Sequence, residues 1–234
     1  MEKLVAVAPR FDEVTEYSQA WMLDALTEIN TLIEIHELLE DLAVRREVES
    51  ALEDLSPEWF THYDHGSDYV MWGDDEQPII NLSNLSRLAG MRVYCMNCSS
   101  GKGLGAHAVD QGIKEYLGYN DVVSFTTDQE QVFKSAFNYG LITAIQRNLE
   151  LKDIIEEMRE NGYILADQLR SEGDYIAAAA LVNDMDILHV YYEGGPEPPE
   201  PECGVSASLK QLFGWNGLHF FRKWRQRLFP ETLS

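Results

Sequence analysis

Apolar runs of strand length alternate with stretches of helical periodicity along most of this chain, the pattern of a sheet covered by helices. "KLVAVAP" predicts a first strand, and "EYSQAWMLDALTEI" a helix with Trp21, Leu23, Leu26 and Ile29 roughly on one side. "LIEIHEL" reads as a second strand, "VRREVESALEDL" as a charged helix and "EWFTHYDH" as a third strand. A hairpin-like pair, "YVMWGDDEQPIINL", and a short helix, "SNLSRLAG", lead to the fourth main strand, "RVYCMNC". A Gly-rich loop, a helix over "AHAVDQGIKEYL" and a strand over "DVVSFTT" follow, then a long helical stretch from about Gln129 to Asp184 and a closing strand, "ILHVYYEG". The expected fold is therefore α/β, one domain over 1–195 with a mainly parallel sheet flanked by helices. The segment 196–204 is a Pro/Glu-rich extended linker, and 205–234 a basic, aromatic tail. No internal repeat is visible.

Parallel sheets carry reactive groups just past the carboxyl ends of their strands. Two apolar runs end there in chemistry-bearing residues: "YDHGSD" in His65-Gly66 and "YCMNCSSG" in Cys98 followed by small residues. If those strands are neighbours, an imidazole and a thiol face one cleft. A thiolate attacks a carbonyl and an imidazole supplies the proton that the leaving amine needs, which is acyl-transfer chemistry. The backbone N–H groups of Gly66 and Cys98 are then the candidate oxyanion hole.

An apolar strand ending in His-Gly, followed by one ending in Cys and small residues, resembles the caspase-like clan of cysteine peptidases. That clan includes caspases, metacaspases, legumains, separases, gingipains and bacterial CHAT domains. "DHGS" is similar to the legumain histidine block and "NCSSG" to the cysteine block of separases and CHAT proteins, with the same order of His before Cys. In element order the resemblance runs from about Leu4 to Gly194. It implies a caspase-like three-layer sandwich and a cysteine endopeptidase with a His65/Cys98 dyad; no cofactor or metal is expected, and an amino terminus without a secretory pattern predicts a cytoplasmic protein. The resemblance also implies a protein or peptide substrate, or a dedicated partner protein cleaved in a prokaryotic defence system. Met96 stands two positions before the cysteine, where many relatives carry a polar or acidic selector.

Other chemistries share these residues. "HYDH" and "CMNC" could assemble zinc from His62, His65, Cys95 and Cys98, although residues three apart on a strand point to opposite faces. "GKGLGA" fits a loose dinucleotide-binding turn over 101–106, with Asp121 or Asp128 for a ribose. It fails as a P-loop, because Met96 replaces the first glycine and Gly103 follows Lys102. A redox C-x-x-C needs its first cysteine exposed, but Cys95 lies inside the apolar run and is expected in the core. Cys98 is the exposed thiol of the pair, and Lys102 with the following helix is compatible with a lowered pKa. His36, His107 and His189 carry no assigned chemistry.

Charge narrows the partners. The 234 residues hold 18 Lys and Arg against 40 Asp and Glu, a net charge of −22, which argues against nucleic acid. No apolar run is long enough to span a bilayer, the amino terminus lacks a secretory pattern, and three cysteines make no disulfide framework. The basic tail, with Trp215, Phe220, Phe221 and Trp224, could lie on an anionic membrane, but an acidic protein surface, its own or a partner's, is the favoured docking site. Acidic groups also outnumber basic ones around the expected cleft. That leans the substrate toward Arg or Lys, with Asp128 as preferred partner, Asp68 at the rim and Met96 in the pocket.

Overall fold

The computed structural model describes residues 1–195; the linker and basic tail, and the docking expected of that tail, lie outside the described residues. In chain order the strands are β1 (Lys3–Ala8), β2 (Glu34–Leu39), β3 (Trp59–Tyr63), β4 (Gly66–Ser67), β5 (Val70–Trp72), β6 (Pro78–Asn81), β7 (Arg92–Met96), β8 (Glu115–Tyr119) and β9 (Leu188–Tyr192). The helices are α1 (Glu13–Ile29), α2 (Arg45–Leu55), the single turn α3 (Ala106–Ala108), α4 (Glu130–Arg147), α5 (Leu151–Ser171) and α6 (Tyr175–Asp186). Six strands form the main sheet in the order β2-β1-β3-β7-β8-β9, all parallel except β9, and β4-β5-β6 form a small antiparallel sheet.

The central strands are largely apolar because both of their faces are covered. In β1, Leu4, Ala6 and Ala8 join the core beneath α1, α4, α5 and α6, while Val5 and Val7 join the opposite core with Val48, Leu52, Ile80 and Cys95. The result is a helix–sheet–helix sandwich of α/β type. Edge strand β2 is mostly exposed on both faces, as its sequence "EIHELL" permits.

Two expected elements are corrected. The helix expected over "AHAVDQGIKEYL" ends at Gly112, whose left-handed φ of 79° stops it, and Glu115–Tyr119 is instead strand β8. There Leu117 and Tyr119 face one core and Tyr116 the other, the alternation of a strand. "DVVSFTT" is then not a strand but a loop over the sheet's carboxyl edge. Phe125 pins it, its ring 4.7 Å from that of Trp21. The long helical stretch also divides into three helices, broken at Asn148 (φ 51°) and Gly173 (φ 88°).

Candidate active site

Strands β3 and β7 are parallel neighbours, with Tyr63 opposite Met96, so both chains leave the sheet at the same edge. His65 and Cys98 each lie two residues past those ends. A methyl group added at Gly66 would sit 2.6 Å from the Cys98 carbonyl oxygen and 2.9 Å from Asn97 Cγ. Only a glycine lets the two exits approach this closely, and this explains the His-Gly pair. Past the cysteine the backbone turns through Ser99, held in the left-handed region at φ 60°. Its N–H donates to the Asp121 carbonyl at 3.0 Å. A non-glycine residue there stores about 1 kcal/mol or more, which the surrounding bonds must offset.

Those bonds run through the buried floor of the turn. Tyr116 donates its hydroxyl to Ser100 Oγ at 2.8 Å, and Ser100 donates in turn to Asn97 Oδ1. The Asn97 amide donates to His62 Nδ1 at 2.7 Å, and His62 Nε2 donates to the Trp72 carbonyl at 2.7 Å. This fixes His62 as a neutral Nε2–H tautomer. Burial lowers its pKa to about 4, against the raising effect of the Trp72 bond. The chain of bonds ties β3, β5 and β8 to residues 97–100.

At the rim, His65 is half-buried and its Nε2 lies 2.8 Å from Asp12 Oδ2. Asp12 also caps α1, its Oδ1 accepting from the Thr15 amide at 2.8 Å. Burial acts to raise the Asp12 carboxyl, but the Thr15 and His65 bonds outweigh it and hold the group below its usual value. Nothing in the sequence pairs Asp12 with His65. Its signal is positional: it follows the end of β1, the strand beside β3.

The thiol is not poised as a free thiolate. Cys98 Sγ points at the Val123 carbonyl, 3.9 Å away in the loop after β8. Burial pushes the thiol up to about 11, the Val123 contact opposes this, and the charges of Asp184, Asp121 and Asp64 add to the rise. The expected lowering by Lys102 is corrected, because its ammonium is spent 3.3 Å from Asp68. Asp68 is accordingly paired at the rim, and its carbonyl accepts from the Leu104 amide at 2.8 Å. Met96, expected in the substrate pocket, is buried in the α1/α4 core instead, because side chains alternate along β7. Asp128, expected at the end of a strand, is exposed in the turn Thr127–Gln129 that opens α4, since the strand expected before it is a loop.

The other chemistries meet the same geometry. Cys95 is fully buried in register with His62, and burial pushes its thiol up to about 12, as a core cysteine requires. Both ring nitrogens of His62 are engaged, and among the described residues no three His, Cys, Asp or Glu gather to hold a metal. The glycines of 101–105 are consumed by packing: an added methyl at Gly103 would lie 1.7 Å from the Asp68 carbonyl, and one at Gly105 2.7 Å from the Tyr191 ring. A phosphate cradle needs that space open. Two carboxyls were missed by sequence reasoning. Asp64 is 5% exposed, with the His65 amide acting on its carboxyl, and Asp184 is fully buried, its Oδ1 accepting from the Ser124 amide at 3.0 Å and its carboxyl also acted on by the Asn183 side chain. No helix among the described residues is long and apolar enough to cross a membrane. No protein-family model matches the chain, and no curated protein matches it.

Proposed function

We propose that this protein is a cysteine endopeptidase of caspase-like type, with Cys98 as nucleophile and His65 as the group that takes and returns the proton. The observation that carries the reading is the adjacency of β3 and β7, which brings His65-Gly66 and Cys98 out at one edge with Gly66 against the cysteine's own carbonyl. A half-buried cysteine just past the end of β7 and an imidazole just past the end of β3, its Nε2 bonded to a carboxylate, supply the groups that acyl transfer uses.

The mechanism follows from the resting charges. The thiol is neutral, so ionisation accompanies substrate binding: Sγ gives up the Val123 carbonyl and its proton passes to His65. With Nε2 held by Asp12, Nδ1 is the basic nitrogen. The thiolate attacks the scissile carbonyl, and the N–H groups of Gly66 and Cys98 receive the oxyanion. His65 then protonates the departing amine as the C–N bond breaks and the thioester forms. A water molecule, deprotonated by His65, hydrolyses the thioester and restores the thiol. The substrate is a protein or peptide in the cytoplasm, and the resemblance to stand-alone bacterial relatives suggests a dedicated target in a defence system.

The test is modification by a peptidyl acyloxymethyl ketone together with turnover of a fluorogenic peptide. Cys98→Ala should abolish modification and lower turnover by about three orders of magnitude or more. Cys95→Ala should leave both unchanged. Modification that persists in Cys98→Ala, or is lost in Cys95→Ala, would overturn the assignment.

A further inference from the structure

Charge along the sequence points to Asp128 as the carboxylate that meets the substrate, but Asp184 is the one that acts most on the thiol. Asp184, on the last turns of α6, is fully buried, and its Oδ2 has no hydrogen-bond partner. It is near enough for its charge to act on both the Cys98 thiol and the Tyr119 hydroxyl. Tyr119 is the last residue of β8, the strand beside β7, and its hydroxyl is likewise buried without a partner. Between the carboxyl ends of β7 and β8, under the loop 121–126, the molecule thus buries two unmatched polar atoms near its proposed nucleophile. We propose, on the premise of the peptidase reading, that Asp184 is the specificity-determining residue of the substrate pocket and selects a basic side chain, Lys or Arg, on the amino-terminal side of the cut.

Charge and hydrogen bonding favour that occupant. An apolar side chain would leave Asp184 Oδ2 and the Tyr119 hydroxyl unsatisfied, a standing cost for each. An acidic side chain would enter among the carboxyls of Asp184, Asp121 and Asp64, where burial already disfavours the charged form of Asp184 and Asp64, while Lys102 is committed to Asp68. Burial holds the Asp184 carboxyl well above its usual range, and a guanidinium or ammonium beside it brings donors and favours its ionised form.

Entry requires the Val123–Ser124 stretch to yield. What is given up is a thiol contact of 3.9 Å and one amide bond of 3.0 Å to Asp184 Oδ1, exchanged for a charge-assisted pair in a closed site. The same cation works on the nucleophile. A positive charge beside the thiol favours its thiolate, countering the surrounding carboxyls. Substrate choice and thiol ionisation are therefore one event, so a neutral side chain should lose rate as well as affinity.

The experiment compares rates of Cys98 modification of the full chain by acyloxymethyl ketones that differ only in the side chain next to the ketone: lysine, norleucine or aspartate. The lysine reagent should react at least about tenfold faster than the norleucine reagent, which has the same apolar length without the charge. Asp184→Asn retains the acceptor for the Ser124 amide and should cut that ratio to about threefold or less, whereas Asp128→Asn should preserve it. Equal or faster reaction of the norleucine or aspartate reagent with the unmodified protein would overturn the proposal without recourse to any variant. So would an unchanged ratio in Asp184→Asn, or a ratio that collapses in Asp128→Asn. If none of the three reagents modifies Cys98, the peptidase reading itself falls and takes this pocket with it; reaction led by the wrong side chain leaves that reading standing and removes Asp184 alone.

Discussion

His62 and His65 are three residues apart on the same exit from β3, yet they occupy opposite chemical worlds. His62 is fully buried with both nitrogens bonded inside the protein, and burial keeps it neutral down to about pH 4. His65 stands half-buried at the sheet edge against a partly exposed carboxylate. The neighbouring strand repeats the contrast, with Cys95 in the core and Cys98 at the rim. Residues three apart on an extended chain cannot share a face, so H-x-x-H beside C-x-x-C yields one buried pair and one edge pair instead of a four-ligand cluster. The buried pair belongs to the floor that fixes the turn, and the edge pair belongs to the chemistry proposed above it.

The sharpest way to break this comparison is to exchange the losses. His65→Ala should reduce peptide turnover by about three orders of magnitude and change stability by no more than about 1 kcal/mol, because the ring is part-exposed. His62→Ala should do the reverse in kind. It removes two buried hydrogen bonds, strands the Asn97 amide and the Trp72 carbonyl, and leaves a cavity, for a destabilisation of about 3 kcal/mol or more. Denaturant unfolding and kinetics on both variants check this. Equal stability losses would show that the two rings are not divided into floor and edge.

That division also marks how far the sequence could be read. The parallel sheet was legible because the covered positions of β1, β3 and β7 are mostly apolar, and no other element accommodates "LVAVA" or "WFTHY" with both faces buried. His65 and Cys98 were legible because each interrupts such a run at its end. "IKEYLGY" was not: its five residues Glu115–Tyr119 suit a helix or a strand by composition, and Gly112, whose left-handed φ decides the matter, also reads as an ordinary helix end. The error displaced the next strand and with it Asp128. Asp12, Asp64 and Asp184 were hidden for another reason. Their roles come from neighbours 53, 34 and 86 residues away in sequence, at His65, Cys98 and again Cys98, and no local pattern encodes such meetings.

A smaller effect separates the floor from everything else that titrates. His62 has a folded pKa of about 4, below its ordinary value of 6.5, so the unfolded chain binds its proton first. Its contribution is therefore full above pH 6.5 and is lost as the pH falls from there toward 4. Asp64 and Asp184 oppose it. Burial holds their carboxyls well above the usual range, so their cost is relieved in acid. Comparison with His62→Asn, which retains an acceptor for Asn97 but does not titrate, cancels those carboxyls. The stability advantage of His62 over Asn should shrink by about 2 kcal/mol between pH 7 and pH 5. A constant difference would mean that the ring is not held neutral.

The least effect is expected at Asp12, where floor and edge meet in one carboxylate. Oδ1 caps α1 through the Thr15 amide and Oδ2 faces His65 Nε2, so a structural and a positioning role share one residue. Asparagine separates them. It is as good a cap as aspartate, so Asp12→Asn should stay within about 0.5 kcal/mol of the parent in stability. Facing His65, however, it presents an amide N–H in place of an oxygen and donates to Nε2, which moves the imidazole proton to Nδ1 and removes the base from the nitrogen that the thiol needs. Because both side chains are more than a third exposed, at 35% and 42%, water can compete and the imidazole can recover its tautomer. The expected loss is therefore only about tenfold, and it should fall in kcat with KM little changed, since substrate does not touch Asp12. Asp12→Ser also caps the helix but withdraws from His65 and lets water take its place, so its kcat should lie between aspartate and asparagine. If Asp12→Asn matched the parent in kcat, or lost stability instead, Asp12 would be a helix cap and nothing more.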